Sequence, residues 1–429
     1  MKYIRSAFAQ TFLAIKVRNY RLYFTGQVIS VSGTWMQMVA QVFLVLNVLH
    51  GSGVDVGIVT ALQFLPMLLA GSWGGLIADR LDKRKLLYAT QGSAGLLALI
   101  LGLLTITGHI TLLITYILAT ALGVVNLFDN PARQTFVSEM VGPKLLPNAV
   151  SLNSVLMNAA RAIGPALGAL LIVVVGGASI GIGTSFLINA ITYVAVIAAL
   201  KLMDEKAFFR QPVVQRAKGQ VREGLAYVWS TPELRDPLLA ISVVGIFAFN
   251  FTVTLPLLAK FTFHGGTALY SVFTVAMGSG AVAGGLIMAH RSQPSQALLA
   301  VIGLVFGFLI LAVALAPSIL VTDIILVPMG AGSIAFIATA NATLQLRADP
   351  HMRGRVMALF AIAFLGSTPI GAPLVGAISD ATNPRVALIV GAVATLLACA
   401  PLALRYALNP RQLRLKNKAL MREKYPIDP

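Results

Sequence analysis

Runs of about 20 apolar residues, each long enough as a helix to cross a hydrocarbon layer of about 30 Å, alternate with short polar gaps along this chain. Twelve runs stand out, at 23–49, 56–78, 86–107, 111–130, 149–175, 180–200, 237–259, 268–289, 297–315, 318–342, 355–379 and 386–404. Each is continuously apolar and does not alternate residue by residue, so the pattern predicts an all-α membrane protein and not a barrel. The one long interior gap, 201–236, leaves little room for a soluble domain.

A net charge of +17 would by itself suggest nucleic acid, but 57% hydrophobic residues and a mean hydropathy of +0.84 point to a bilayer instead. Of the 32 Lys and Arg residues, 29 fall at the termini or in every second gap. The exceptions are Lys260 and Arg385 in the opposite gaps and Arg161 inside the fifth run. Cationic loops stay in the cytoplasm, so both termini are expected there, in the cell inner membrane, with an even number of spans. The first run is too long for the core of a cleaved secretory signal. The single cysteine, Cys399, sits in the last run, which leaves no intramolecular disulfide.

The chain reads as a repeat. Gly74-Gly75-Leu76-Ile77 returns as Gly284-Gly285-Leu286-Ile287, and Pro165-Ala166-Leu167-Gly168-Ala169 as Pro373-Leu374-Val375-Gly376-Ala377, at nearly equal offsets. The expected organisation is a six-helix half over 1–200, a cytoplasmic linker over 201–236, a second six-helix half over 237–405 and a basic tail over 406–429. Within the linker, Val221, Leu225, Val228 and Trp229 share one face, which predicts a short amphipathic helix on the inner leaflet, ended by Pro232. Transporters built from repeats hold their substrate between them near the midplane.

Polar residues inside the runs mark candidate chemistry. Ser30, Thr34, Gln37 and Gln41 share one face of the first helix, flanked by Gln27 and Trp35. Such a stripe must face a partner helix or a watery cavity. Asn250 and Thr254 stand at i and i+4 in the seventh run, and Asn126, Asn341 and Gln345 add polar groups in the fourth and tenth. Met36, Met38, Phe64 and Met67 lie near them, a soft lining that suits varied amphipathic molecules. Arg161 is a costly cation inside the bilayer, with Asp129 as a strut partner or an anionic substrate as its target. Asp323 and Asp129 are the candidate proton sites.

Gly75-Leu76-Ile77-Ala78-Asp79-Arg80-Leu81-Asp82-Lys83-Arg84-Lys85 closely resembles motif A of the major facilitator superfamily. In the second half it has decayed to Gly285-Leu286-Ile287-Met288-Ala289-His290-Arg291. Asn19-Tyr20-Arg21-Leu22-Tyr23, Asn130-Pro131-Ala132-Arg133 and Arg353-Gly354-Arg355-Val356-Met357 look like the branch that includes macrolide efflux pumps and the enterobactin exporter. The resemblance implies the major facilitator fold, twelve helices in two pseudo-symmetric halves. It makes Gly75, Asp79, Arg80, Lys83 and Arg84 a gating loop, with Asp79 latching the cytoplasmic side. Arg161, Gly164, Pro165 and Gly168 resemble the superfamily's antiporter motif. Two departures stand out: 111–128 lacks the arginine many drug antiporters carry, and Gly33-Thr34-Trp35 lacks the acid some relatives place there.

No nucleotide loop, metal-ligand cluster or nucleophile motif occurs, so no enzyme, cofactor or metal is expected, and uphill transport must draw on a gradient. The leading expectation is a proton-coupled drug exporter. A dedicated siderophore or metabolite exporter is the alternative, and a non-transporting membrane sensor or scaffold the reading from another class. The expected partners are a small-molecule substrate, protons and the lipid bilayer, with no nucleic acid and a monomeric chain.

Overall fold

A computed structural model describes residues 13–175, 178–209, 220–289 and 294–407. These are helical, with no strand among them. Eleven stretches are long and apolar enough to span a bilayer. One helix, Leu112–Val174, has 63 residues. At about 1.5 Å per residue this is about three times the hydrocarbon thickness, so it cannot be one span. It breaks at Gly142, whose φ of 68° and ψ of 173° are non-helical. That break yields the twelfth span. Only glycine adopts this conformation readily, and a Cβ there would also press on the Phe209 ring at 3.2 Å.

The spans are α1 (Arg18–Phe43), α2 (Gly53–Arg80), α3 (Lys83–Ile106), α4 (112–141), α5 (143–174) and α6 (Ala178–Lys201). A linker helix, Gln220–Ser230, comes next. Then follow α7 (Pro232–Phe247 and Phe251–Leu257), α8 (Thr267–Ala289), α9 (Gln296–Leu315), α10 (Ile319–Arg347), α11 (Arg353–Leu365 and Thr368–Ala381) and α12 (Pro384–Leu402). Local chemistry sets many of the starts. Ser52 and Asp55 form a capping box on α2, Asp82 caps α3, Thr111 caps α4, and Ser295 and Ser318 cap α9 and α10. Arg385 donates to Ala314 O at 3.0 Å and Ala316 O at 2.7 Å, which satisfies carbonyls left over at the end of α9. A structural role thus accounts for one exception to the charge count.

The repeat recurs in backbone detail. α1 ends in a π-helical turn, Leu44–Val48, with Leu49 N–H on Leu44 O and Gly51 N–H on Val45 O. The α7 end repeats this over Leu258–Thr262, with Phe263 on Leu258 and Gly265 on Ala259. His50 and His264 follow, with φ of 51° and 52°.

The described residues form two compact units. The first comprises those of Met1–Ala217 with Phe251–Gly278 and Thr368–Pro384. Apolar cores hold it together, two of them at opposite ends. One joins Tyr20, Tyr23, Leu87, Phe136, Met140, Leu152 and Leu200 near the cationic loops. The other joins Val45, Leu46, Val56, Val59, Val253, Leu257 and Ala372 at the opposite end. The latter contains residues of both sequence repeats. Glycines make its helices approach closely. A Cβ on Gly57 would collide with the Ala372 carbonyl, and one on Gly376 with the Gly53 carbonyl.

The second unit comprises the described residues of Lys218–Asn250, Ser279–Ser367 and Arg385–Pro429. Two of its borders fall where helices are interrupted, at Ala248–Asn250 in α7 and Gly366–Ser367 in α11. Another lies in the run Gly278-Ser279-Gly280 of α8. The linker helix is anchored in this unit. Glu223 pairs with Arg355 at 2.5 Å, and Tyr227 donates to Asp349 at 3.0 Å. Burial, together with the Asp349 carboxylate, raises the Tyr227 phenol above its ordinary range, so it remains a donor. The side chains of Val221 and Arg222 lie outside the described residues.

Candidate transport site

The most concentrated polar chemistry in the first unit is a buried ion pair. Asp129 is 1% exposed, and Arg133 one turn along α4 donates to its Oδ2 through Nε and Nη2. Thr90 and Gln91 of α3 donate to the other oxygen at 2.7 and 2.8 Å. Arg133 reaches α1 through Nη1, which donates to Gln27 at 2.9 Å. Three helices thus meet on one ion pair. Arg133 counts as a loop cation in the sequence, because the fourth apolar run ends at residue 130. The structure carries α4 on to residue 141, and this turns Arg133 inward. Pro131 cannot donate to Leu127 O, and Gly74 of α2 packs against that same carbonyl. Among the described side chains, Asp129 takes Arg133 as its cation. The side chains of Arg161 and Asp79 lie outside the described residues, as do His290 and Arg291 of the decayed motif.

The polar stripe of α1 is largely engaged by neighbouring helices. Gln37 accepts from Asn189 of α6 at 2.7 Å, and Gln41 accepts from Gln63 of α2 at 2.8 Å. Gln27, Ser30, Gln37 and Gln41 are buried, whereas Thr34 is exposed and bonds back to Ser30 O at 3.0 Å. Much of the stripe joins helices, and Thr34 is its open position. The antiporter-like residues pack on this stretch. A Cβ on Gly164 would meet Trp35, Ser32 O and Met36 N, and Gly168 lies on Met36. Pro165 is buried, and its carbonyl accepts from Ser271 of α8 at 2.9 Å.

The gating-loop residues divide. Arg84 caps the end of α6 through Leu200 O at 2.8 Å and pairs with Glu205. Lys83 pairs with Glu139 at 3.4 Å. These contacts lie within the first compact unit. Arg80 is exposed, and Gly75 is half-buried.

In the second unit, the interrupted α7 carries a group that no spacing in the sequence announced. Phe249 packs on Phe306 at 5.5 Å, Phe364 at 5.6 Å and Phe336 at 6.4 Å between ring centres. Phe306 and Phe336 are fully buried, while Phe249 and Phe364 are half-exposed. The rings come from four different runs, so only folding gathers them. Asn250 is buried and donates to Ile246 O at 2.7 Å, which satisfies a carbonyl freed by the break. Thr254, in the second piece of α7, is buried within the first unit. Asn341 of α10 is half-buried and accepts from Gln345 at 2.5 Å. The Oδ1 of Asp323 is buried and has no hydrogen-bond partner among the described residues. No cluster of three or more metal-ligating side chains occurs among the described residues.

Twelve spans in two repeated sets of six, packed through glycines and carrying sparse polar groups in the membrane, define a transporter of the major facilitator superfamily, not an enzyme. Residues 9–425 match the family described as transmembrane secretion effector, and the chain belongs to it. The staphyloferrin A transporter of Staphylococcus aureus is 27% identical over 371 residues, 84% of this chain and 89% of that protein. The multidrug efflux pump Tap of Mycolicibacterium fortuitum is 26% identical over 366 residues, 82% of this chain and 87% of that one. Among solved structures, a bacterial homologue of the lysosomal transporter Spinster, inward-facing and unoccupied, superposes with a TM-score of 0.73 at 13% identity, covering 90% of this chain and 96% of that one. The nucleoside transporter NupG gives 0.69 at 11% identity, covering 91% and 99%.

Proposed function

We propose that this transporter exports lipophilic or amphipathic small molecules from the cytoplasm by alternating access, in exchange for protons. It does so as a monomer in the cell inner membrane, with both termini cytoplasmic. The observation that carries this reading is the aromatic group at the break in α7. Phe249 and Phe364 offer half-exposed rings on a buried base of Phe306 and Phe336. Such a surface contributes apolar area without fixing a polar pattern, which suits substrates of varied shape. The likeness to a multidrug efflux pump supports the same direction of transport.

Export of a single siderophore is the second reading, favoured by the likeness to the staphyloferrin A transporter. A siderophore rich in carboxylates would call for cations in its pathway. The half-buried guanidinium of Arg133 is already matched by Asp129, which weighs toward a lipophilic substrate.

For coupling, the buried oxygen of Asp323, without a partner among the described residues, supports a carboxyl that carries a proton for part of the cycle, because an ionised oxygen would be costly there. Asp129 is the weaker candidate, since both its oxygens are engaged. Efflux of fluorescent lipophilic dyes from energised cells tests the reading. It should fall to the level of cells lacking the protein when a protonophore is added, and again in Asp323→Asn without it. Phe249→Ala should lower efflux of the bulkier dyes by about tenfold, the scale of one lost aromatic contact surface. Efflux indifferent to the protonophore would exclude antiport. A wide dye panel left unmoved by verified membrane protein, alongside an iron-limited strain that leaks less siderophore on deletion, would favour the second reading.

A further inference from the structure

Lys260 is, with Arg385, one of the two cations in the opposite gaps, and its contacts are unusual. It stands in the π-helical turn at the end of α7 and donates to Leu46 O at 2.5 Å and Asn47 Oδ1 at 2.8 Å. Leu46 lies in the matching turn at the end of α1, where carbonyls lack their helical donors. Asp380, near the end of α11, does the converse. Its two oxygens accept from the N–H groups of Gly53 at 2.8 Å and Val54 at 2.7 Å, the first residues of α2. A cation thus sits on a helix C-terminus and an anion on a helix N-terminus, each the favourable sign. The residues between these two ends are the short turn Leu49–Ser52. Side chains from the second repeat grip that turn of the first repeat from both flanks. All four partners belong to the first compact unit.

The surroundings fit a contact that opens and closes. Beneath the two caps lies an apolar seam of Val45, Leu46, Val56, Val253, Leu257 and Ala372, with Gly53 and Gly57 set against Gly376 and Ala372. Backbone groups at helix ends can exchange a side-chain partner for water at small net cost, which lets such caps bias an equilibrium without freezing it. A permanent core has no need of charges from the opposite repeat. We propose that Lys260 and Asp380 form a two-sided ionic latch that holds the outer face closed by capping the two ends of the α1–α2 turn. This rests on the alternating-access reading and on the cytoplasmic placement of the termini.

The test uses Leu257→Cys as a reporter in the full chain with Cys399→Ala, since Leu257 is fully buried in the seam. A membrane-impermeant maleimide is added to intact cells. Labelling should be slow with the latch intact and rise about tenfold or more in Asp380→Ala and in Lys260→Met, the factor that one lost charge-assisted bond corresponds to. Unchanged labelling in both variants would overturn the latch, even if dye efflux were lost. Faster labelling seen only with inverted vesicles would overturn the outer placement, and with it the assumed orientation. Where single variants accumulate poorly, the pair Gly53→Cys and Asp380→Cys gives a second readout. A Cβ on Gly53 stands 2.7 Å from Asp380 Oδ1, so oxidation should form a disulfide that stops efflux until reductant is added. Failure to cross-link, or efflux that continues once it has formed, would overturn the proposal.

Discussion

Asp129→Ala is expected to be among the most destabilising single substitutions in the first unit. The change strips Arg133 of its counterion while leaving the guanidinium in place with Gln27 as its remaining partner among the bonds described above. It also leaves Thr90 and Gln91 without the oxygen they share. Breaking a buried pair by removing one partner costs about 3–5 kcal/mol, most of it from the stranded charge. Arg133→Ala should cost a similar amount by stranding the carboxylate. The double variant Asp129→Asn with Arg133→Gln removes both charges and keeps hydrogen-bonding groups in place, so it should regain most of the loss. Thermal unfolding of the detergent-purified protein across this cycle gives the coupling directly. A coupling below about 1 kcal/mol would mean that the pair is solvated enough to be ordinary. If the double variant unfolds normally but exports no dye, the network contributes to transport as well as to the fold.

This pair also marks where reading the sequence stops. Span positions were legible because hydropathy is a local property, and the glycines of the repeat because close packing demands small residues wherever helices cross. The buried role of Arg133 was not legible. Its meaning depends on whether α4 stops at Pro131 or continues, and proline in a spanning helix permits either. Lys260 could be noticed as an exception to topology, but its acceptors lie on Leu46 and Asn47, far away in the chain. The Phe249 group is assembled from four runs, each with an unremarkable share of aromatic residues. The α1 stripe was legible as a face, yet its partners decide its meaning. With Asn189, Gln63 and Arg133 opposite, three glutamines are helix joints, and Thr34 is the exposed position.

The glycines of the antiporter-like motif should separate by what a methyl group would touch. At Gly164 a Cβ falls against Trp35, 2.8 Å from Ser32 O and 3.0 Å from Met36 N. Two of those neighbours are backbone atoms of α1, which cannot yield without moving the helix that carries the polar stripe. At Gly168 the same atom would lie 3.3 Å from Met36 Cγ and 3.3 Å from Met36 O, and the methionine side chain can turn aside. Gly164→Ala is therefore expected to destabilise by about 1–3 kcal/mol, the usual cost of overpacking, and to lower dye efflux at least about tenfold. Gly168→Ala should be milder, within about twofold of the unaltered protein, because its nearest atoms stand 3.3 Å away and one of them is a flexible methionine side chain. Pro165, between them, denies a donor to the carbonyl one turn earlier, so α5 has a built-in point of compliance beside the tight contact. If Gly164→Ala keeps its stability yet loses efflux, the contact is one that must slide during transport. Equal tolerance of both substitutions would show that α5 and α1 do not pack through this face in the bilayer.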